Sequence, residues 1–234
     1  MLLRGRLPGQ KNMANRNVFI TGGTGYIGRR LIAELLNRNY EVRALVRAGS
    51  ERKLPSDCAA VVGNVLDPSS FAHQVQPSDT FVQLVGVPKP SPAKAAQFRA
   101  VDLASIQASV SAAADAGVAH FVYVSVAHPA PIMRAYIEVR AEGERLIRSH
   151  RLNATILRPW YVLGPGHRWP YMLLPMYAVL ERLPSTRETA RRLGLVTLQQ
   201  MIDALLAAIA APASGVRILE PAQIKAASIM EAIA

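Results

Sequence analysis

The sequence predicts an α/β protein with a doubly wound parallel sheet of about seven strands. Strand and helix patterns alternate almost without a break, which is typical of right-handed crossovers and of a sheet covered on both faces. The run Phe121–Val124 is continuously apolar, as expected for a strand that is buried on both sides. The first strand leads directly into a glycine-rich turn and an amphipathic helix, which is typical of the same architecture.

Short apolar runs and longer amphipathic segments predict the following elements in chain order. Strands are predicted at Asn17–Thr21, Glu41–Val46, Ala59–Val62, Thr80–Val85, His120–Ser125, Thr155–Leu157 and Val216–Leu219. Helices are predicted at Tyr26–Asn37, Ser69–Gln74, Ala93–Ala116, Pro131–Ser149, Pro170–Leu183 and Leu198–Ala210. Proline is favoured in the first turn of a helix, so Pro131 marks a helix start.

A chain of 234 residues is the size of one large domain. We expect residues 1–14 to be a disordered extension, with Met13 a candidate start, and residues 15–234 to form a single domain. The segment 164–194 is the least regular. It is predicted to form a small C-terminal cap, or lid, over the carboxyl edge of the sheet, where ligands bind in such folds.

Composition limits the compartment and the partners. Half of the residues are hydrophobic, and the single cysteine, Cys58, excludes an internal disulfide and fits a reducing cytosol, so we expect a cytoplasmic protein. The stretch Met201–Ala211 is too short and too polar to span a membrane. The formal charge is +11, with arginines spread along the chain. This pattern predicts solvated surface charge and no nucleic-acid partner, and it leaves an acidic protein or a membrane surface open as a peripheral partner.

The segment Thr21–Gly28 reads Thr-Gly-Gly-Thr-Gly-Tyr-Ile-Gly. Gly22 allows the tight turn off the strand, Gly25 lets the backbone approach a pyrophosphate, and Gly28 lets the helix pack closely on the strand. The helix N-terminus offers N–H groups and a partial positive charge to the phosphates. The alternative is a purely structural turn. The cofactor interpretation predicts contacts from Gly22, Thr24, Gly25, Tyr26, Ile27 and Gly28.

From Arg16 onward the chain resembles the short-chain dehydrogenase/reductase superfamily with its NAD(P)-binding Rossmann fold, in the atypical or epimerase-like branch. The resemblance rests on several motifs in the expected order: Thr21–Gly28, Gly63–Asp67, Tyr123–Val126, Tyr136–Arg140 and Leu157–Gly166. It implies an oxidoreductase that transfers a hydride to or from a small carbonyl or alcohol substrate. The superfamily also includes members that bind a cofactor without catalysis, as regulators or accessory subunits, so this alternative stays open. A sugar-nucleotide epimerase or dehydratase is a weaker alternative, because the region after Gly164 is small.

The second strand ends at Arg47, without the acidic residue that receives a ribose 2′-hydroxyl. A guanidinium there can hold a 2′-phosphate, which favours NADP over NAD. Arg43, on the same strand face, and Arg29, beside the third glycine, are further candidates. The alternative is that Arg47 only ends an exposed strand.

The resemblance assigns the rest of the cofactor site. It places Asn64 and Val65 beside the adenine, and the corner Val85–Val87, with Val85 and Gly86, beside the nicotinamide ribose. Pro159 completes the cofactor-binding set. The family usually has Asp where this chain has Asn64. Asp67 is expected instead to cap a helix that starts at Pro68.

The resemblance also implies a catalytic tyrosine, a lysine four residues later and a serine that polarises the substrate. Here these positions are Tyr136, Arg140 and Ser125. The spacing places Tyr136 and Arg140 on one helix face, where a fixed positive charge favours a phenolate. Arginine cannot release a proton into a relay as lysine can, so turnover stays open.

Other residues receive simpler interpretations. The five histidines show no metal-binding spacing, so we predict no metal. We expect His128 to be an exposed loop residue, and the tip His167–Trp169 to contact substrate or only to shape the lid. Glu142 and Glu144 are expected to pair with arginines of their own helix. The alanine-rich segment Ala93–Ala116 allows a homodimer through close helix packing, although core packing explains it equally well.

Overall fold

The computed structural model describes residues 17–130, 132–165 and 193–231. Its main sheet has seven parallel strands in the order β3-β2-β1-β4-β5-β6-β9, and a second, two-stranded parallel sheet joins β7 to β8. The strands are β1 (Asn17–Thr21), β2 (Glu41–Val46), β3 (Ala59–Val62), β4 (Thr80–Gln83), β5 (His120–Val124), β6 (Ala154–Leu157), β7 (Tyr161–Leu163), β8 (Leu195–Thr197) and β9 (Val216–Leu219). The predicted doubly wound parallel sheet is confirmed.

The helices lie on both faces of this sheet. They are α1 (Tyr26–Asn37), α2 (Ala95–Gln97), α3 (Ala104–Asp115), α4 (Arg134–Ser149), α5 (Leu198–Ala210) and α6 (Pro221–Glu231). Short 3₁₀ turns occur at Glu51–Lys53, Pro68–Ser70, Ala72–Gln74 and Pro92–Lys94, and a π-helical stretch, Phe98–Leu103, joins α2 to α3. Thr197 caps α5 through the backbone N–H of Gln200, and the Gln200 side chain accepts a hydrogen bond from the Thr197 N–H in return.

Alternate strand residues build two cores. On one face Phe19, Phe81 and Phe121 pack against one another, with ring centroids 5.1 and 5.3 Å apart, and face α3 and α4. On the other face Ile20, Val82 and their neighbours pack against α1 and α5. Because β1, β4 and β5 are buried on both sides, their polar functional groups are confined to their ends.

Several predicted boundaries change. The segment predicted as one helix at Ala93–Ala116 is a 3₁₀ turn, a short α-helix, a π-helix and α3, and the helix predicted at Ser69–Gln74 is two 3₁₀ turns. The helix predicted from Pro131 begins at Arg134. The sequence analysis missed β7, β8 and α6. The extension 1–14 with Met13, the helix Pro170–Leu183, the tip His167–Trp169 and residues 166–192 of the lid lie outside the described residues.

Within the described part of the chain, no helix has the length and hydrophobicity of a membrane span, and no group of three or more potential metal ligands occurs.

Candidate dinucleotide and active site

The predicted functional residues gather at the carboxyl edge of the main sheet. The strand order reverses between β1 and β4, because β1 leads outward to β2 and β3 while β4 leads to β5, β6 and β9. Loops diverge at such a point and leave a crevice above the strand ends, which is where open α/β sheets bind ligands.

The glycine turn after β1 has the geometry that the sequence predicts. Gly22 has φ +76°, and a Cβ there would lie 2.9 Å from the carbonyl carbon of Leu84. The N–H of Gly25 donates to the carbonyl of Gly22 at 3.0 Å, which closes the turn. A Cβ on Gly28 would overlap the Gly22 oxygen and lie 2.7 Å from the Cα of Gly23. Glycine is therefore required at Gly22 and Gly28 by the close approach of the backbone.

The N-terminus of α1 is open to an anion. Gly25 is its N-cap, and within the described chain no side chain caps this end and no acidic residue occurs in the first turn. Gly25 is exposed, whereas Thr24, Tyr26 and Ile27 are half-buried. The first N–H groups of a helix need partners from outside the helix, and a pyrophosphate fits both this need and the helix dipole. The residues present thus fit the phosphates of a dinucleotide.

Three arginines are candidates for contact with a 2′-phosphate. Arg47, directly after β2, and Arg29, in the first turn of α1, are exposed. Arg43 instead directs Nη1 to the carbonyl oxygens of Gln74 and Gln76, at 3.2 and 2.8 Å. Arg47 and Arg29 are therefore the better placed of the three candidates for a 2′-phosphate.

The loop after β3 is built around Asn64. Its Oδ1 accepts a hydrogen bond from the N–H of Leu66 at 3.1 Å, while its own N–H donates to Ser70 Oγ at 2.9 Å. Asp67 caps the turn at Pro68 by accepting from the N–H of Ser69 at 3.0 Å, as predicted, although the helix is 3₁₀. A groove of about 290 Å³ lies between this loop and α3, and it is lined by Leu66, Pro68, Ala104, Gln107, Ala108 and Ser111.

The corner Val85–Val87 lies over a buried ion pair. Arg140 Nη2 is 2.6 Å from Asp102 Oδ1, and these side chains are 6% and 0% exposed. Arg140 Nη1 also donates to the carbonyl of Val124 at 3.0 Å. Burial raises the pKa of Asp102, and the Arg140 charge opposes that rise. For Arg140, burial lowers the pKa, but the neighbouring Tyr136, Tyr123 and Asp102 outweigh burial and raise it, so the guanidinium stays charged.

Tyr136 and Arg140 lie together on α4, as the four-residue spacing predicts. The guanidinium carbon of Arg140 is 5.1 Å from the ring centroid of Tyr136, and the Phe98 ring packs against the same tyrosine at 5.0 Å. Such a cation over an aromatic face is attractive. The half-buried Tyr136 thus has a fixed positive charge beside it.

Ser125, at the end of β5, is held by a carboxylate. Its hydroxyl donates to Glu144 Oε1 at 2.7 Å, and Arg158 donates to both oxygens of Glu144, from Nε at 2.8 Å and from Nη2 at 2.5 Å. Burial raises the pKa of Glu144, but the neighbouring His128 and the hydrogen bonds from Arg158 and Ser125 outweigh it and lower that pKa to about 2. Glu144 is therefore a carboxylate at neutral pH.

This cluster extends one expectation and corrects another. The expected ion pair of Glu144 within its own helix is present, with Arg148 at 3.6 Å, but Glu144 is 1% exposed and its closer partner is Arg158 after β6, at 2.5 Å. His128 was expected to be exposed, yet its Nε2 lies 3.4 Å from Glu144 Oε1 and its side chain is 24% exposed.

Sequence reasoning also missed residues behind the site. Asp102 stands between Val101 and Leu103 in an apolar helical stretch, and this was the one available signal. The hydroxyl of Tyr123 is completely buried beside Gly143, where a Cβ would lie 2.7 Å away. Burial raises the pKa of Tyr123 to about 12, so this phenol stays protonated.

Fold and site together define a dinucleotide-binding protein of the doubly wound α/β class. The chain belongs to the NAD(P)H-binding family, whose model matches residues 22–168. The predicted NAD(P)-binding Rossmann fold is thereby confirmed.

Similar proteins agree with this assignment. Ceramide reductase of Caulobacter vibrioides is 27% identical over 176 residues, which cover 74% of this chain and 55% of that protein. The 3-diazoavenalumate denitrifying reductase of a Streptomyces species is 29% identical over 178 residues, 64% of this chain and 57% of that protein. This chain thus spans about half the length of these relatives. A short-chain dehydrogenase/reductase superfamily protein of Agrobacterium tumefaciens with bound NAD shares the fold, with TM-score 0.64, 20% identity and coverage of 93% and 82% of the two chains.

Proposed function

We propose that this protein is an NADP-dependent oxidoreductase acting on a small carbonyl or alcohol compound. The observation that carries this proposal is the uncapped glycine turn of α1 at the same sheet edge as the Tyr136–Arg140 pair. A dinucleotide whose phosphates lie on the turn has its reactive ring some distance along this edge, toward β4 and β5.

Different residues of the chain bind different parts of the cofactor. The glycine turn takes the pyrophosphate, Asn64 and Val65 take the adenine, and Arg47 takes the 2′-phosphate. Val85, Gly86 and Pro159 lie on the nicotinamide side. When bound, the nicotinamide supplies or accepts the hydride, and the protein supplies position and charge.

Tyr136 moves the proton at the substrate oxygen, and Arg140 supplies a fixed positive charge beside it. Ser125 holds the same substrate oxygen. Because its hydroxyl proton is donated to Glu144, Ser125 in this arrangement can accept a hydrogen bond from a substrate alcohol, whereas holding a carbonyl requires that proton to turn away from Glu144.

The relatives support the reaction class. The names of the Caulobacter and Streptomyces proteins both specify reductases, and the solved Agrobacterium protein binds NAD. The substrates in the names of these two reductases are not assigned to this chain, because it spans only about half the length of either protein.

A second candidate is a cofactor-binding protein without turnover. It is favoured by Arg140, whose two terminal nitrogens donate to Asp102 and Val124 of the protein itself. A guanidinium cannot pass a proton onward. Under this alternative the dinucleotide site is the same, and only the proton transfer is missing.

Titration of the protein with NADPH and with NADH, followed by nicotinamide fluorescence, tests the cofactor. We expect saturable binding of both and tighter binding of NADPH. Equal affinities would remove the NADP preference, and no binding of either would remove the proposal.

Turnover against a panel of ketones and aldehydes tests the reaction. Tyr136→Phe removes the proton donor and should reduce kcat by about 10²- to 10⁴-fold while NADPH binding changes little. Tyr40→Phe, on the opposite face of the sheet, is the matched control. Turnover in Tyr136→Phe equal to that of the control would remove Tyr136 from the mechanism, and absence of turnover in the unchanged protein would favour the non-catalytic alternative.

A further inference from the structure

The corner Val85–Val87 is held from both of its ends by the same two side chains. The carbonyl of Val85 accepts a hydrogen bond from Arg140 Nη2 at 3.4 Å, and the N–H of Val87 donates to Asp102 Oδ2 at 3.0 Å. Arg140 and Asp102 are joined to each other at 2.6 Å. The pair therefore closes a bridge beneath Gly86 that connects the residue before it to the residue after it.

Gly86 leaves the space in which this bridge lies. A Cβ at this position would overlap Arg140 Nη2 and lie 3.3 Å from Asp102 Oδ1. The backbone of Gly86 itself is exposed, so the inward side of the corner contacts the ion pair and the outward side is open. Glycine is the residue that loses most conformational freedom on ordering, and a corner centred on it needs such a constraint to keep one shape.

Asp102 reaches the corner from the π-helical stretch before α3. Its side chain is fully buried, and its own carbonyl accepts a hydrogen bond from Ser105 Oγ at 3.0 Å. Ser105 in turn accepts from Gln83 Nε2 at 3.1 Å, and Gln83 is the last residue of β4. The backbone at Asp102 is thus linked through Ser105 to the strand that leads into the corner, which restrains the residue that carries the carboxylate.

We propose that Asp102 and Arg140 form a backbone clamp that pre-shapes the corner Val85–Val87 for the nicotinamide half of the cofactor. Asp102 is a positioning residue: it acts through Arg140 and through the Val87 N–H, without contacting the ligand. This inference rests on the proposed cofactor site. Pre-ordering a loop removes an entropic cost of binding, so the clamp increases affinity for the part of the ligand that meets the corner.

Binding measurements can distinguish this clamp from a general structural role of the ion pair. The adenosine half of the cofactor meets the glycine turn, Asn64 and Arg47, which are carried by other loops. Loosening the corner should therefore weaken binding of the whole dinucleotide and leave binding of the adenosine half nearly unchanged.

The test uses Asp102→Asn in the full chain. Asparagine retains one acceptor for Val87 or for Arg140 but cannot serve both as the carboxylate does. Dissociation constants are measured for the dinucleotide that the unchanged protein binds more tightly, and for its adenosine half, adenosine 2′,5′-bisphosphate for NADPH or ADP for NADH. We expect a loss of about tenfold for the dinucleotide and a change within about twofold for the half molecule.

Two further variants complete the test. Asp115→Asn, at the exposed end of α3, is the matched control and should change neither constant. Gly86→Ala retains both charged side chains but displaces the Arg140 head group from beneath the corner, and it should give the same selective loss. If Asp102→Asn does not fold, the clamp is tested by Gly86→Ala alone.

Equal losses for the dinucleotide and its half, or no loss for either, would overturn the clamp. Failure of the unchanged protein to bind any of these ligands would instead remove the proposed function, and the clamp with it. Ligand binding by the unchanged protein therefore distinguishes a failure of the clamp from a failure of the proposed function.

Discussion

Glu144 is a buried carboxylate whose pKa lies well below its usual range. It is buried between Ser125 of β5 and Arg158 after β6, with His128 at 3.4 Å and Arg148 of its own helix at 3.6 Å. Arg158 is shared with Glu220 at 2.9 Å. One carboxylate therefore connects α4 to the ends of two strands and the start of the C-terminal region.

The pKa of Glu144 predicts acid sensitivity. It is lowered from 4.5 to about 2, so the stabilisation is complete above pH 4.5 and is lost as the pH falls from there toward 2. We expect Glu144→Gln to be less stable than the unchanged protein by roughly 3 kcal/mol at pH 7, with the difference shrinking between pH 4.5 and 2. Urea unfolding across this range measures it.

Glu34→Gln is the control for Glu144. Its partner Arg38, the C-cap residue of α1, lies 2.6 Å away at the surface, and exposed pairs contribute only about 0–1 kcal/mol. A stability difference between Glu144→Gln and the unchanged protein that does not depend on pH would contradict the lowered pKa.

Single residues were predictable where backbone geometry dictates one residue type. Gly22 and Gly28 follow from the turn itself, because no other residue fits the approach of the chain to itself. Asp102 and Glu144 were not predictable in their roles, since a charge in an amphipathic helix pattern is ordinarily solvated. Their burial depends on partners 38 and 14 residues away in sequence, Arg140 and Arg158. Long-range pairing of this kind has no local signature.

At the scale of elements, the Asp102–Arg140 pair joins the π-helical stretch to α4. A buried ion pair loses much of its Coulomb energy to desolvation, so its stability contribution is small, but removal of one partner leaves an uncompensated charge. The pair thus enforces a particular arrangement of the two helical elements more than it stabilises the fold.

A double-mutant cycle measures this coupling. Arg140→Met leaves the Asp102 carboxylate buried without a counter-charge, and Asp102→Asn does the same to the Arg140 guanidinium. Each should destabilise the protein by about 3–5 kcal/mol. In the double variant the new amide can still accept from the Val87 N–H, so we expect it to be less destabilised than the sum of the singles, by about 1–3 kcal/mol. Denaturant unfolding of the four proteins gives the coupling energy, and strict additivity would contradict a direct pair.

Element types were predictable to the extent that periodicity specifies them. Strands β1, β2, β3 and β9 and helices α1 and α5 have the predicted bounds, because their apolar pattern is local. The π-helical stretch was not predictable: one extra residue per turn is hard to see in a pattern read at a period of 3.6. The strands β7 and β8 are three residues each and pair with each other across more than 30 residues, so neither has a local signal.

At the scale of the whole molecule, the charge of +11 acts on every anionic ligand. A positive field attracts NADPH more than NADH whatever residue contacts the 2′-phosphate, because that phosphate adds about 1.5 to 2 negative charges. A preference for NADPH alone therefore does not identify Arg47. The general field and a direct contact differ in how they respond to substitution and to salt.

Arg47→Ala separates the two contributions. If Arg47 contacts the 2′-phosphate, its loss should reduce the ratio of NADH to NADPH dissociation constants by about tenfold at low salt, as expected for a charge-assisted hydrogen bond. Arg145→Ala removes the same charge from an exposed position on α4 and should reduce the ratio far less. Both constants are measured by nicotinamide fluorescence between about 0.01 and 0.5 M salt.

Salt gives the second comparison. Because Arg47 is exposed, its contribution is screened as the Debye length falls from about 30 Å at 0.01 M toward 3 Å at 1 M, so the ratio for the unchanged protein should decline with salt and approach that of Arg47→Ala. If Arg145→Ala lowers the ratio as much as Arg47→Ala does, the field of the whole molecule accounts for the preference. If neither variant changes the ratio, Arg47 is only an exposed residue after β2, and Arg29 becomes the residue to substitute.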